Sequence, residues 1–136
     1  FHQEPAAALL PAFAEHNFGV IVRVALDEGG LTGRIDASTV FPEGDFRERY
    51  FAGERRAEVG RRARAITDDL GIEPDELAGI ALRYALADPA VSTVIPGMRT
   101  VRNVERNVAI SDGVRLDEKT VGQLAKHRWE RNFYRP

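Results

Sequence analysis

Apolar positions change period several times along the chain, and each change marks an element. Pro5 suits the first turn of a helix, and Leu9, Leu10 and Phe13 give residues 6–16 one apolar face. Asn17 and Gly19 end that helix. Residues 19–26 then form a β-branched, nearly continuous apolar run, the pattern of a strand buried on both faces. Gly29, Gly30 and Gly33 break it, and residues 34–53, with Pro42 and Gly44, read as a long irregular loop. From 54 to 70 a charged helix is apolar at Val59, Ala63, Ile66 and Leu70 and is closed by Gly71. Pro74 opens another helix to about 87, its stripe being Leu77, Ile80, Ala81, Tyr84 and Ala85, until Asp88-Pro89 stops it. Residues 91–95 predict a second short strand ended by Pro96-Gly97, and Thr100 can cap a helix to about 110. Leu116, Val121 and Leu124 mark a last helix before an aromatic, cationic tail through Trp129, Phe133 and Tyr134.

This order is α/β, and it predicts two parallel neighbouring strands joined by a right-handed crossover. Two strands make neither a doubly wound sheet nor a closed barrel, and their open edges would template aggregation unless another segment covered them. The architecture is expected to be incomplete. The opening Phe1-His2-Gln3 has no initiator Met, so the chain is expected to begin inside, or just after, a strand of a larger protein.

Composition narrows the function classes. Hydrophobic residues make up 43% and charged residues 29% of the 136, an ordinary globular mix for one domain. A net charge of −2 gives no pull toward nucleic acid or an anionic membrane. No cysteine is present, which removes disulfides, thiolate metal sites and thiol nucleophiles and fits a reducing, cytoplasmic setting. No apolar run reaches the length of a membrane span. Arginine supplies 17 of the 19 cations, and it is the cation suited to bidentate contact with phosphate or carboxylate.

The candidate chemistry lies at the two strand ends. After the second strand, Pro96-Gly97-Met98-Arg99-Thr100 places a glycine turn and a helix N-terminus together, offering backbone N–H groups and a positive dipole end to an anion. The same turn could also be a plain strand-to-helix connection with a solvated arginine. The wording of the motifs favours the first reading. Thr93-Val94-Ile95-Pro96-Gly97, then Arg99, Asn103 and Asn107, is similar to the aldo-keto reductase motif after the last barrel strand. Val24-Ala25-Leu26, then Gly29, Leu31, Thr32 and Gly33, resembles that family's run after the seventh strand. Glu76-Leu77-Ala78 with Ala81-Leu82-Arg83-Tyr84 resembles the helix between them.

The resemblance spans nearly the whole chain, and it implies the C-terminal portion of a (β/α)8 TIM barrel, from the end of strand six to the tail, as one segment over 1–136 that is incomplete on its own. It also implies an NADPH (NADP) site. Leu26, Gly29 and Leu31 would lie beside the nicotinamide ribose and pyrophosphate. Gly97 and Arg99 would face the adenosine 2′-phosphate, Thr100 would add a hydrogen bond, and Asn103 and Asn107 would border the adenine. Arg23 aligns where many relatives stack an aromatic residue on nicotinamide, and Arg106 where many are acidic. Asp27 and Glu28 are expected to point away from the pyrophosphate and to serve as loop caps or solvated groups.

The family's tyrosine, lysine, histidine and aspartate map to no position here, so no catalytic residue is assigned. Tyr50, Tyr84 and Tyr134 fall in loop, helix and tail, Lys119 and Lys126 in the last helix. His2, His16 and His127 have no metal-ligand spacing. Tyr50, with Phe46 and Phe51, reads as packing in preference to a substrate pocket. Three functions follow from this. The chain is the cofactor-binding part of a reductase of aldehydes or ketones, completed by an N-terminal barrel segment. Alternatively it is a non-catalytic nucleotide-binding or regulatory piece, or a structural remnant that self-associates.

Overall fold

The computed structural model describes residues 1–130 of the 136, so Phe133 and Tyr134 lie outside the described residues. Helix α1 (Glu4–Glu15) has Pro5 in its first turn. It ends before Asn17, which takes a positive φ of 54°. Strand β1 (Val20–Val22) follows, and a 3-10 segment, Asp27–Thr32, carries the glycine run. Then come α2 (Phe46–Tyr50), α3 (Arg55–Leu70), a 3-10 turn at Pro74–Glu76 and α4 (Leu77–Ala85). Strand β2 (Val91–Val94), α5 (Val101–Val108), a short 3-10 turn and α6 (Glu118–Lys126) complete the described chain.

The two strands pair in parallel, as expected, with Ile21 opposite Thr93 and Val22 opposite Val94. Val20 pairs with Val91, so Ser92 is the extra residue of a bulge, and its Oγ accepts the Val20 N–H at 3.2 Å. The sequence reading made β1 too long. Its last ladder bond is Ile95 N–H to the Val22 carbonyl, 3.0 Å. The chain then turns away, with Val24, Asp27 and Glu28 all at positive φ. Nor is the strand buried on both faces. Ile21 is 64% exposed, because a single neighbour and no second layer cover that side.

The core lies among the helices. One apolar cluster joins Leu31, Ala63, Ile66, Leu77 and Leu124, with Ile80, Ala81 and Tyr84 against it. A second joins Ile35, Phe41, Tyr50, Phe51 and Val59. Helix α3 serves both, through Val59 near its start and through Ala63 and Ile66 a turn later, so the predicted stripe is the packed one. The segment 34–53 departs from its reading as an irregular loop. It holds α2, whose cap Asp45 accepts the Arg47 N–H at 2.9 Å. Phe41, Tyr50 and Phe51 from this segment join the second cluster, with Phe51 at 0% exposure, while Phe46 is exposed. Tyr50 packs there, as its sequence reading held.

Candidate functional site

Both glycine turns sit at the C-terminal ends of the paired strands. The first is held by packing. A Cβ on Gly30 would lie 2.6 Å from Asp27 Oδ2 and 2.9 Å from Val59 Cγ1. Gly33, at φ 70°, presses against the Pro74 carbonyl at the start of α4. Asp27 departs from its expected role as a solvated or capping loop residue. It is 8% exposed, and its Oδ1 accepts a hydrogen bond from Tyr50 Oη at 3.3 Å. A carboxylate pointing into the core is one whose partner comes from a distant segment, here α2, which local sequence does not reveal.

Arg23 is exposed, while Leu26 and Gly29 are half-buried. Leu31 is buried, its side chain in the core cluster with Leu77 and Leu124. It can therefore offer only its backbone to a ligand on the outer surface. Arg23 and Leu31 also line a half-open cavity of about 1300 Å³, together with residues of α1, β1, α4 and α6 such as Phe13, Val22, Tyr84 and Val121.

The second turn is built differently. Thr100 caps α5, its hydroxyl oxygen accepting the Asn103 N–H at 3.2 Å, which leaves the hydroxyl hydrogen available to another acceptor. Asn107 Nδ2 donates to the Gly97 carbonyl at 3.1 Å and so pins the turn to the helix one coil later. Arg99, Thr100 and Asn103 are exposed. Gly97 has no positive φ, and a Cβ there would meet nothing within 4 Å. Neither backbone conformation nor internal crowding requires glycine at this position. Arg99 makes no ion pair among the described residues, and its charge reaches Asp45 at the start of α2. The Arg47 side chain and backbone N–H, hydrogen-bonded to Asp45, chiefly hold that carboxyl well below the usual range, and Arg99 adds to the effect.

None of the second-turn residues lines the cavity that Arg23 and Leu31 share. Of the sequence-derived set, only Arg23 and Leu31 line that cavity. Arg34, after the first turn, and α5, after the second, meet at a feature the motifs left open. Asp75 accepts from Arg106 at 2.6 Å, Arg34 at 2.8 Å and Arg102 at 3.2 Å. Arg106, whose role the motif did not define, is part of this cluster. The three histidines and the acidic residues form no group that could hold a metal ion among the described residues. No helix among them is long and apolar enough to cross a membrane.

Comparison with known proteins gives the family and the fold. The aldo/keto reductase family matches residues 2–128. The chain is 28% identical to the aldo-keto reductase yakc of Schizosaccharomyces pombe, whose name specifies NADP(+), over 90% of this chain and 36% of that protein. It is 27% identical to an uncharacterized oxidoreductase of Bacillus subtilis, YqkF, over 87% of this chain and 37% of the relative. Among solved structures, the holo form of a Bacillus halodurans aldo-keto reductase matches with a TM-score of 0.64 at 22% identity, covering 95% of this chain and 38% of that one. A glycerol dehydrogenase of Gluconobacter oxydans matches at 0.67 and 23% identity, covering 91% and 39%. The fold is thus that of these proteins, and the chain spans little more than a third of their length.

Proposed function

The chain belongs to the aldo/keto reductase family, and on that premise we propose that it forms the pyrophosphate and adenosine side of an NADPH site in an enzyme reducing aldehydes or ketones to alcohols. The observation that carries this reading is the exposed turn 96–100 at the head of α5. Gly97 is a glycine without an internal reason to be one, and close approach of an outside group to its backbone supplies the reason. Arg99 stands beside it without an ion pair among the described residues, and α5 offers N–H groups and a positive dipole end. These are the features a phosphate needs.

In this reading Arg99 holds the adenosine 2′-phosphate, and Thr100 donates its remaining hydroxyl hydrogen to it. Asn103 borders the adenine. Asn107 acts through Gly97, keeping the turn open by its bond to the Gly97 carbonyl. Leu26 and Gly29, with the backbone at Leu31, line the pyrophosphate side, and Arg23 flanks the nicotinamide. When bound, NADPH supplies the hydride. The proton for the carbonyl oxygen comes from groups beyond this chain. Tyr50 is committed to Asp27 in the core, Tyr84 donates to Gln3 at 2.9 Å, and both lysines sit on α6. We assign the apolar half-open cavity to the remaining barrel strands, which would cover it.

The test is a pair of dissociation constants by calorimetry on the full-length protein. A shielded, charge-assisted phosphate contact is worth roughly 1.5–3 kcal/mol, so Arg99→Ala weakens NADPH by about ten- to a hundredfold. NADH, with no 2′-phosphate, changes little. Equal loss of both cofactors contradicts the assignment.

A further inference from the structure

The three arginines gathered on Asp75 are arranged at a cost. Arg102 stands in the first turn of α5, where a cation meets the positive end of the helix dipole. Arg102 and Arg106 are four residues apart on one face, a spacing at which like charges repel. Arg34 comes from the segment just behind the first glycine turn and adds a third cation at the same point. One carboxylate answers all three, so positive charge remains in excess here. Asp75 itself is firmly placed. It lies in the Pro74–Glu76 turn, where the Glu76 side chain accepts the Glu73 N–H at 2.9 Å, and Gly33 packs directly on Pro74. Its contacts therefore join the loop after β1, the start of α4 and the first two turns of α5.

We propose that Asp75 is a positioning residue that clasps the two glycine turns together, fixing their separation for a ligand that bridges both. The inference rests on the NADPH reading above, because a dinucleotide phosphate is the ligand that spans a pyrophosphate turn and an adenosine turn. Arg34 is the arm to the first turn, and Arg102 and Arg106 are the arms to the second. The clasp does not bind adenosine. It makes the pyrophosphate side and the adenosine side available at once, so that binding to one arm presents the other in register. Loss of the carboxylate frees Arg34 and lets the loop move relative to α5. The same loss raises the positive potential at the head of α5, so the affinity of that turn alone does not fall.

The experiment compares two probes by calorimetry on the full-length protein: NADPH, which spans both turns, and adenosine 2′,5′-bisphosphate, which reaches only the second. Asp75→Asn is expected to weaken NADPH by about five- to tenfold. The bisphosphate stays within about twofold of wild type or binds more tightly, since the turn it occupies has gained charge. Asp75→Glu restores most of the NADPH affinity. Arg34→Gln, an exposed and milder change, reproduces the NADPH-selective loss even if Asp75→Asn folds poorly, and the double variant is no worse than Asp75→Asn alone. Unchanged NADPH affinity in both single variants, or equal loss of the two probes, overturns the clasp. A wild-type protein that binds neither probe overturns the NADPH reading and the clasp with it.

Discussion

Gly30 and Gly97 look alike in the sequence and are opposite in the structure. At Gly30 a methyl group would collide with the Asp27 carboxylate and with Val59 in the core. Overpacking of that kind costs about 1–3 kcal/mol, so Gly30→Ala is expected to lower the unfolding free energy from denaturant melts by about that amount. At Gly97 the space is empty, and Gly97→Ala leaves the unfolding free energy within about 0.5 kcal/mol of wild type. A Gly30→Ala variant as stable as wild type would contradict the packing described here. The sequence marked both glycines as turn residues, since strand-glycine-helix order is local information. It did not separate them, because the difference lies in what a distant segment brings alongside. Asp27 shows the same limit. Its neighbours in sequence are glycines and a glutamate, and its partner Tyr50 arrives from α2.

Elements were more legible than their edges. Helices α3 and α4 follow from the spacing of Val59, Ala63 and Ile66 and of Leu77, Ile80 and Tyr84, because periodicity selects the buried face before the partner is known. Strand β1 is shorter than its apolar run, since the backbone leaves the extended conformation at Val24, where φ is 56°. Helix α2 was missed, as five residues leave too little periodicity to read against Pro42 and Gly44. Contacts between elements were the least legible. Arg83 of α4 grips Asp112 with two bonds of 2.8 and 2.7 Å and also donates to the Val114 carbonyl, tying α4 to the segment after α5. The Arg83 guanidinium, with the Val114 N–H, lowers the Asp112 carboxyl from 3.8 to about 2. A carboxyl depressed in the folded state contributes stability above its ordinary pKa and loses it as pH falls through the folded value. Thermal melts should therefore show an Asp112-dependent loss between about pH 4 and pH 2, and Asp112→Asn should remove that part of the acid slope. An identical slope in the variant would show that the pair adds nothing.

At the scale of the whole molecule, the apolar surface is divided. The residues around α3 pack into two buried clusters, while Ile21 on β1, Ile95 after β2, and Val101, Val104 and Val108 along α5 remain exposed. The large cavity opens on the same strand, with Val20, Ile21 and Val22 in its lining. Both features suit a segment of a larger barrel, and the match to little more than a third of the relatives' length agrees with that size. The expectation of an incomplete architecture rests on the two strands alone. The cofactor assignment rested on motif wording, to which the structure adds the open turn at Gly97 and the cluster on Asp75. Binding of NADPH by the strand-end turns is tested by amide hydrogen exchange on the full-length protein with and without saturating NADPH. New protection is expected at residues 26–33 and 97–107, with α3 and α6 unchanged. Protection absent from both turns, while NADPH is bound, would contradict it.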